Sequence, residues 1–255
     1  MNKKVFISGS ISIKKLPDQV LNSIDKIIFN NLEILIGDAG GVDRAVQEYC
    51  AQKKYFNVTV YSIYDVPRNR ASTKFNFKKI QVSDNIKSGF RKQQQKDIAM
   101  TRDCDYCLIV WDEKSKGSYQ NILRGIEFDK KVKIFLAKQA KYLEQKKINK
   151  ITIENIFREN NGYSASEIVD ILNDNIYSNF AKGKDLYEYL LKKSVIKKEN
   201  NIYVPVESFS YLFILDNYKG RPKGIRFTTK FIDWFRNELN GISTSKKAQL
   251  SLFEK

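Results

Sequence analysis

The six residues Tyr106–Trp111, Tyr-Cys-Leu-Ile-Val-Trp, constrain this chain more than any other stretch. An unbroken apolar run of this length, rich in β-formers and bounded by polar residues, suits a strand covered on both faces, as in a parallel sheet. It is followed by Lys-Ser-Lys-Gly-Ser, ending at Ser118, and then by Tyr119, Ile122, Leu123 and Ile126 at helical spacing. A buried strand therefore feeds a small-residue turn that opens a helix, with Ser118 as the expected cap. Amide groups at a helix start attract anions, and Gly117 lets a ligand approach closely. The plainer alternative is an ordinary strand–loop–helix joint.

The same pattern recurs upstream. Lys4–Ser8 reads as a first strand running into Ser8-Gly9-Ser10. Leu16-Pro17-Asp18 opens a helix with Val20, Leu21, Ile24 and Ile27-Ile28 on its apolar face. Leu32–Ile36 reads as a second buried strand entering Gly37-Asp38-Ala39-Gly40-Gly41-Val42-Asp43, and a helix with Ala45, Val46, Tyr49 and Cys50 follows. Phe56–Ile63 is a third strand and Lys131–Leu136 a last one. Alternating strands and helices predict a parallel sheet with right-handed crossovers. In such a sheet the glycine-bearing turns can converge on one crevice. No G-x-G-x-x-G and no G-x-x-x-x-G-K-[ST] occurs, so neither the dinucleotide fingerprint nor a Walker A loop is present.

These turns carry a family resemblance. Phe6-Ile-Ser-Gly-Ser, Gly37-Asp-Ala-Gly-Gly-Val-Asp43 and Asp105-Tyr…Trp111-Asp-x-x-Ser115-x-Gly117-Ser118 resemble the SLOG superfamily, in particular its YspA-like branch, over residues 3–138. The superfamily includes lysine-decarboxylase-like phosphoribohydrolases and DNA-processing protein A. The resemblance implies a Rossmann-like doubly wound sheet that binds a nucleotide or nucleotide derivative. It implies ligand contacts from Ser8, Gly9 and Ser10, from Gly37, Asp38, Ala39, Gly40, Gly41 and Asp43, and from Trp111, Ser115, Gly117, Ser118 and Asn121. The phosphoribohydrolases carry Gly-Thr-x-x-Glu; here Gly117-Ser118-Tyr119-Gln120-Asn121 stands instead. An amide cannot do the acid–base work of that glutamate, which favours a binder over a hydrolase. Asp38 and Asp43 stay as catalytic candidates for an N-glycosidase or phosphoribohydrolase-like enzyme. Asp43 alternatively only caps its helix.

Composition narrows the chemistry. The chain has no histidine, which removes Ser-His-Asp and Cys-His catalysis and mixed Cys/His zinc sites. Cys104 and Cys107 have C-x-x-C spacing without a second pair, so core packing is their expected role and no metal is expected. A net charge of +16 favours polyanionic partners. No apolar run approaches the roughly 20 residues that span a bilayer, and the apolar part of the N-terminus is too short for a signal peptide. A cytoplasmic protein with no membrane contact is expected.

Residues 65–96 mix Lys, Arg, Asn, Ser and Gln with Phe75, Phe77 and Phe90. They read as an excursion from the sheet, helical near Arg91–Met100, that serves either as a nucleic-acid contact or crevice lid, or as a solvated loop whose aromatics pack onto the domain. The first domain is thus expected over 1–140, with a Lys-rich connecting helix or linker over 141–161.

Residues 162–240 change character. Ser164-Ala-Ser-Glu167 is a capping box. Helices follow over Ile168–Leu172 and Gly183–Leu191, then two short strands around Glu199-Asn200-Asn201, and finally a helix from Phe231. This outline is that of a winged helix and resembles the C-terminal domain of phage KilA-type antirepressors, although Thr228-Thr-Lys-Phe-Ile lacks that family's glycine. The resemblance implies DNA binding. Lys182, Lys184, Lys192, Lys193, Lys197 and Lys198, with Lys219, Arg221, Lys223 and Arg226 as a second run, would meet phosphates. A protein-contact or dimerisation role stays open, as does a homo-oligomer. Beyond a polar linker, 241–255 holds Gln249-Leu250-Ser251-Leu252-Phe253, similar to the bacterial sliding-clamp-binding motif. A mobile tail with apolar anchors suits such docking. Analogy with these families suggests a phage or mobile-element setting.

Overall fold

The computed structural model describes residues 3–176, 180–218 and 220–238. The chain divides into two compact units, residues 1–156 and 157–255.

In the first unit, β1 (Lys4–Gly9), β2 (Glu33–Gly37), β3 (Val58–Ser62), β4 (Asn76–Lys79), β5 (Tyr106–Trp111), β6 (Lys131–Leu136) and β7 (Lys141–Tyr142) form a seven-stranded sheet. Its order is β4-β3-β2-β1-β5-β6-β7, parallel throughout except for β7 against β6. The central strands are largely apolar: Phe6, Ile7, Ile34, Leu35, Ile36 and Ile109 are shut off from solvent. That is what a sheet covered on both faces requires. Helices α1 (Asp18–Phe29) and α2 (Val42–Gln52) set Val20, Ile24 and Val46 against Val5, Ile7, Ile34 and Ile36. Helices α3 (Gly89–Asp103) and α4 (Lys116–Glu127) neighbour each other and take the other face, as right-handed crossovers dictate. The chain leaves β1 toward β2 and leaves β5 toward β6, while β1 and β5 pair side by side from Val5↔Tyr106 to Gly9↔Val110. Their carboxyl ends therefore sit where strand order reverses, the place where ligands enter open α/β sheets.

One expectation is corrected, and two readings left open are narrowed. The excursion over 65–96 contributes an edge strand, β4, and the start of α3. Phe75 is 1% exposed and packs near Phe56, so that ring is core. The stretch read as a connecting helix or linker holds a helix, α5 (Lys150–Asn161), and also β7, with Tyr142 edge-on to Phe135 at 5.2 Å. Helix α4 begins at Lys116, with Ser115 in the cap position; Ser118 lies inside the first turn.

The second unit contains α6 (Ala165–Ile176), α7 (Gly183–Lys192) and two antiparallel hairpins, β8 (Ile196–Glu199) with β9 (Ile202–Pro205) and β10 (Phe213–Tyr218) with β11 (Arg221–Phe227). Residues 229–238 are helical. The capping box forms: Ser164 N–H donates to Glu167 Oε2 at 2.8 Å, and Glu167 N–H donates to Ser164 Oγ at 3.3 Å. Asn200 and Asn201 both have positive φ, 46° and 63°, matching the twist that a two-residue hairpin turn needs. Ile168, Leu172, Leu186, Leu190, Phe213, Phe227, Phe231 and Phe235 make the core. Tyr187 stacks on Tyr203 at 4.3 Å. The hairpin β10–β11 carries Arg221, Lys223 and Arg226 of the second basic run. Gln249–Phe253 and Lys219 lie outside the described residues. Among the described residues no helix is long and apolar enough to cross a membrane, and no group of three or more Cys, Asp or Glu is placed to hold a metal ion.

Candidate functional site

The turns after β1 and β2 are pressed together, and glycine makes this possible. A Cβ on Gly9 would lie 2.4 Å from the Val110 carbonyl oxygen and 2.6 Å from Val42 Cγ2. Gly41 has φ +70°, and a Cβ there would fall 2.5 Å from the Ile11 backbone. The turn after β5 joins them, and with α3 as a further wall they enclose a cavity of about 380 Å³.

One end of the cavity is built from hydroxyls. Ser10 Oγ accepts the Asp112 N–H at 2.9 Å and shares a 2.7 Å hydrogen bond with Ser115 Oγ, which in turn donates to Ser118 Oγ at 2.9 Å. The Asp112 carboxylate accepts the N–H groups of Ser115 at 2.7 Å and Lys114 at 3.1 Å, and the Ser12 hydroxyl at 2.5 Å. Burial pushes its pKa up, but these bonds outweigh burial and hold it below the ordinary carboxylate value. The first N–H groups of α4, at Lys116, Gly117 and Ser118, have no acceptor within their helix. Gly117 and Ser118 line the cavity, and nothing lies within 4 Å of where a Gly117 Cβ would stand. Trp111 is fully buried outside the cavity. It buttresses this turn, donating Nε1–H to the Ser115 carbonyl at 3.2 Å and stacking on Tyr119.

The other end carries charge. Lys96 is only 4% exposed and donates to Asp97 Oδ1 at 2.6 Å. Asp43 is 6% exposed and accepts the Ala39 N–H at 3.3 Å. A Cβ on Gly37 would lie 2.4 Å from Asp43 Oδ2 and 2.9 Å from Lys96 Nζ, so the two head groups meet over that glycine. Burial pushes the Asp43 carboxyl up to about 6; Lys96 pulls the other way and Asp97 adds to the rise. For Lys96, burial lowers the pKa, but Asp97 and Asp43 outweigh it and the ammonium titrates above its ordinary range.

Of the residues expected at the ligand, Ser8, Gly9, Ser10, Ala39, Asp43, Ser115, Gly117, Ser118 and Asn121 line the cavity. Gly37 floors Asp43. Gly40 and Gly41 line a separate concavity with Arg44 and Asn69. Asp38 is not in the cavity lining: fully buried, it accepts from Ser62 Oγ at 2.8 Å and from Arg68 Nε and Nη2 at 3.1 and 2.7 Å. Asn121 bridges two partners, donating to Ser8 Oγ at 3.0 Å and accepting from Arg124 at 2.6 Å. Arg68, Phe90, Gln93, Lys96, Asp97 and Met100 also line the cavity; the first four fall in the stretch 65–96 read as a nucleic-acid contact, crevice lid or solvated loop, and the sequence names none of the six as a ligand contact. The spacing of Phe90, Gln93, Asp97 and Met100 along one helical face is the available signal. Cys104 and Cys107 are buried with their sulfurs 3.6 Å apart.

In the second unit the candidate cations differ among themselves. Lys184, Lys193 and Lys197 are exposed beside Glu188, Glu238 and Glu199 at 3.5, 2.8 and 2.6 Å. Lys182 donates its backbone N–H to Asp185 Oδ2 at 2.9 Å; among the described residues, Lys192, Lys198, Arg221 and Lys223 are exposed. Arg226 is half-buried and committed, donating to the Asn161 carbonyl at 2.5 Å and to the Gly162 carbonyl at 3.2 Å, and lying 3.6 Å from Glu167.

Set against protein-family models, curated proteins and solved structures, the chain matches none.

Proposed function

We propose that the first unit, a SLOG-like domain, binds a nucleotide-type ligand in the crevice at the ends of β1 and β5. In this reading the second unit, as a winged helix, binds DNA and the C-terminal tail docks on the bacterial sliding clamp, in the cytoplasm. The observation that carries the ligand reading is convergence: three separate small-residue turns bring hydroxyls and the free amides of α4 to one cavity. Calorimetric titration with nucleoside monophosphates tests it. Binding should be lost in Gly117→Val, where a Cβ has open space around it, while the melting temperature stays put. Unchanged affinity in that variant removes the crevice from the account.

DNA binding rests on the net charge of +16 and on Lys198, Arg221 and Lys223 on the two hairpins. The full chain should bind duplex with a logarithmic salt slope of roughly 0.9 per phosphate neutralised; no binding at low salt refutes it. A peptide of residues 245–255 should bind the clamp with micromolar-class affinity, about −8 kcal/mol, abolished when Leu252 and Phe253 become alanine.

Asp43 favours a second reading, hydrolysis of the N-glycosidic bond. A buried carboxyl near pH 6 inside a ligand cavity is poised for proton transfer. Base release from a nucleoside monophosphate, absent in Asp43→Ala, would establish it; intact ligand after prolonged incubation would leave the protein a binder.

A further inference from the structure

β6 departs from the pattern of its neighbours. A parallel strand covered on both faces is largely apolar, yet β6 begins Lys-Val-Lys, with Val132 buried and Lys131 and Lys133 exposed. The two faces of the sheet account for this. A Cβ on Gly125 of α4 would fall 2.8 Å from Val132 Cγ2 and 3.5 Å from Cys107 Sγ, so Val132 and Cys107 face α4. Successive side chains alternate across a strand, which turns Tyr106, Leu108, Lys131 and Lys133 toward the face that carries α1. There α1, β5, β6 and β7 border a cavity of about 510 Å³, and none of the residues lining it lines the crevice.

The walls of this cavity divide by chemistry. Val5, Ile27, Leu32, Leu108 and Leu143 supply an apolar surface. Lys26, Lys131 and Lys133 supply three cations, and the described lining residues include no Asp or Glu. Lys133 donates to Ser23 Oγ at 3.2 Å and stands over the Tyr142 ring at 4.1 Å. Ser23 Oγ and the Tyr142 hydroxyl share a hydrogen bond of 2.7 Å, so the groups that hold this ammonium are themselves fixed. An ammonium has three donors, and Ser23 accepts one. Desolvation by the cavity wall, and then Lys26, push the Lys133 pKa below the ordinary lysine value. Cations gathered at an apolar wall without a counter-charge are held at a cost that a bound anion relieves. The net charge of +16 draws anions to the whole surface; what sets this cavity apart is the apolar wall beside its cations. Its volume falls within the roughly 300–1,000 Å³ of small-ligand pockets.

We infer that this cavity is a second ligand site of the first unit, one that takes a small amphipathic anion: an apolar body laid against Leu108 and Ile27, with a single carboxylate or phosphate head group held by Lys26 and Lys133. The site is independent of the crevice and of the nucleotide reading.

The test is a calorimetric titration of the full chain with decanoate, decyl phosphate, 1-decanol and decylammonium, each below its micelle threshold. At least one of the two anions should bind at least about tenfold tighter than 1-decanol, with decylammonium weaker still; the tighter anion identifies the head group. Lys133→Met keeps an apolar stem of similar length and removes the charge. It should weaken the anion at least about threefold while 1-decanol stays within about twofold, and Lys26→Met should do the same. Anion and alcohol bound equally well would overturn the role of the lysines. Anion affinity unchanged in both folded variants would place the ligand elsewhere and overturn the site. Failure of both anions to bind overturns it as well, and short single-stranded DNA that then binds wild type but not Lys133→Met would assign this face to nucleic acid instead.

Discussion

Asp38 and Asp43 belong to one glycine-rich turn and share a residue type, yet their surroundings drive them apart. Asp38 receives both arms of Arg68 and the Ser62 hydroxyl. Burial pushes its pKa up, but those bonds prevail and hold it below the ordinary carboxylate value. Asp43 has one long amide bond and a lysine that is bonded to another acid, and burial raises it to about 6. A carboxylate whose oxygens are all taken holds the turn in place. One that is buried, under-bonded and facing a cavity is available to a ligand. The sequence places the two five residues apart in the same motif, and only three-dimensional partners separate them.

The comparison breaks most visibly at Asp38. Asp38→Ala strips Arg68 of its counter-charge and leaves Ser62 and the Arg68 N–H without an acceptor, a loss of about 2–3 kcal/mol given that Arg68 can still reach water. Thermal or urea unfolding measures it. Because the folded pKa is depressed, this stabilisation is present above the unfolded carboxylate value near 3.9 and is lost as pH falls below it. The gap between wild type and Asp38→Asn should therefore hold from pH 5 to 8 and narrow in acid.

Asp43 should do the reverse. Its folded pKa lies above the unfolded one, so the folded chain loses stability as pH rises from about 4 through about 6. Asp43→Asn should be more stable than wild type at pH 7.5 by about 1–3 kcal/mol, with the gain fading toward pH 4. Parallel pH profiles for the two asparagine variants would remove the distinction drawn between these residues.

The same contrast can be sharpened in the second unit at smaller amplitude. Arg226, tied to the carbonyls of Asn161 and Gly162, should cost about 1–2 kcal/mol of stability as alanine. Alanine at the exposed Lys197 and Lys198 should leave stability within about 0.5 kcal/mol and lower the DNA salt slope by roughly 0.9 for each phosphate no longer neutralised. Equal melting temperatures for all three variants would mean that Arg226 is as free as the lysines.

How much of this is readable in the chain follows from burial. β1, β2, β3, β5 and β6 announce themselves because strands covered on both faces must be largely apolar. β4, Asn-Phe-Lys-Lys, and the two-residue β7 lie at the sheet edges and carry no such signature. Ser115 and Ser118 are equally good caps by type, which is why sequence alone sets the start of α4 inside its first turn. The serine end of the cavity is legible as small residues after apolar runs. The α3 wall is not, since Gln93, Lys96 and Asp97 look like a solvated helical face until the fold turns them inward.

In the proposed complex, the amides opening α4 and the turn after β2 would hold the ligand jointly. Hydrogen exchange of the full chain, with and without a saturating nucleoside monophosphate, reads those amides directly. Slowed exchange at residues 116–118 and 39–43, with the remainder of the sheet unchanged, is the expected result. Saturation of the protein with no slowing at either stretch would contradict it.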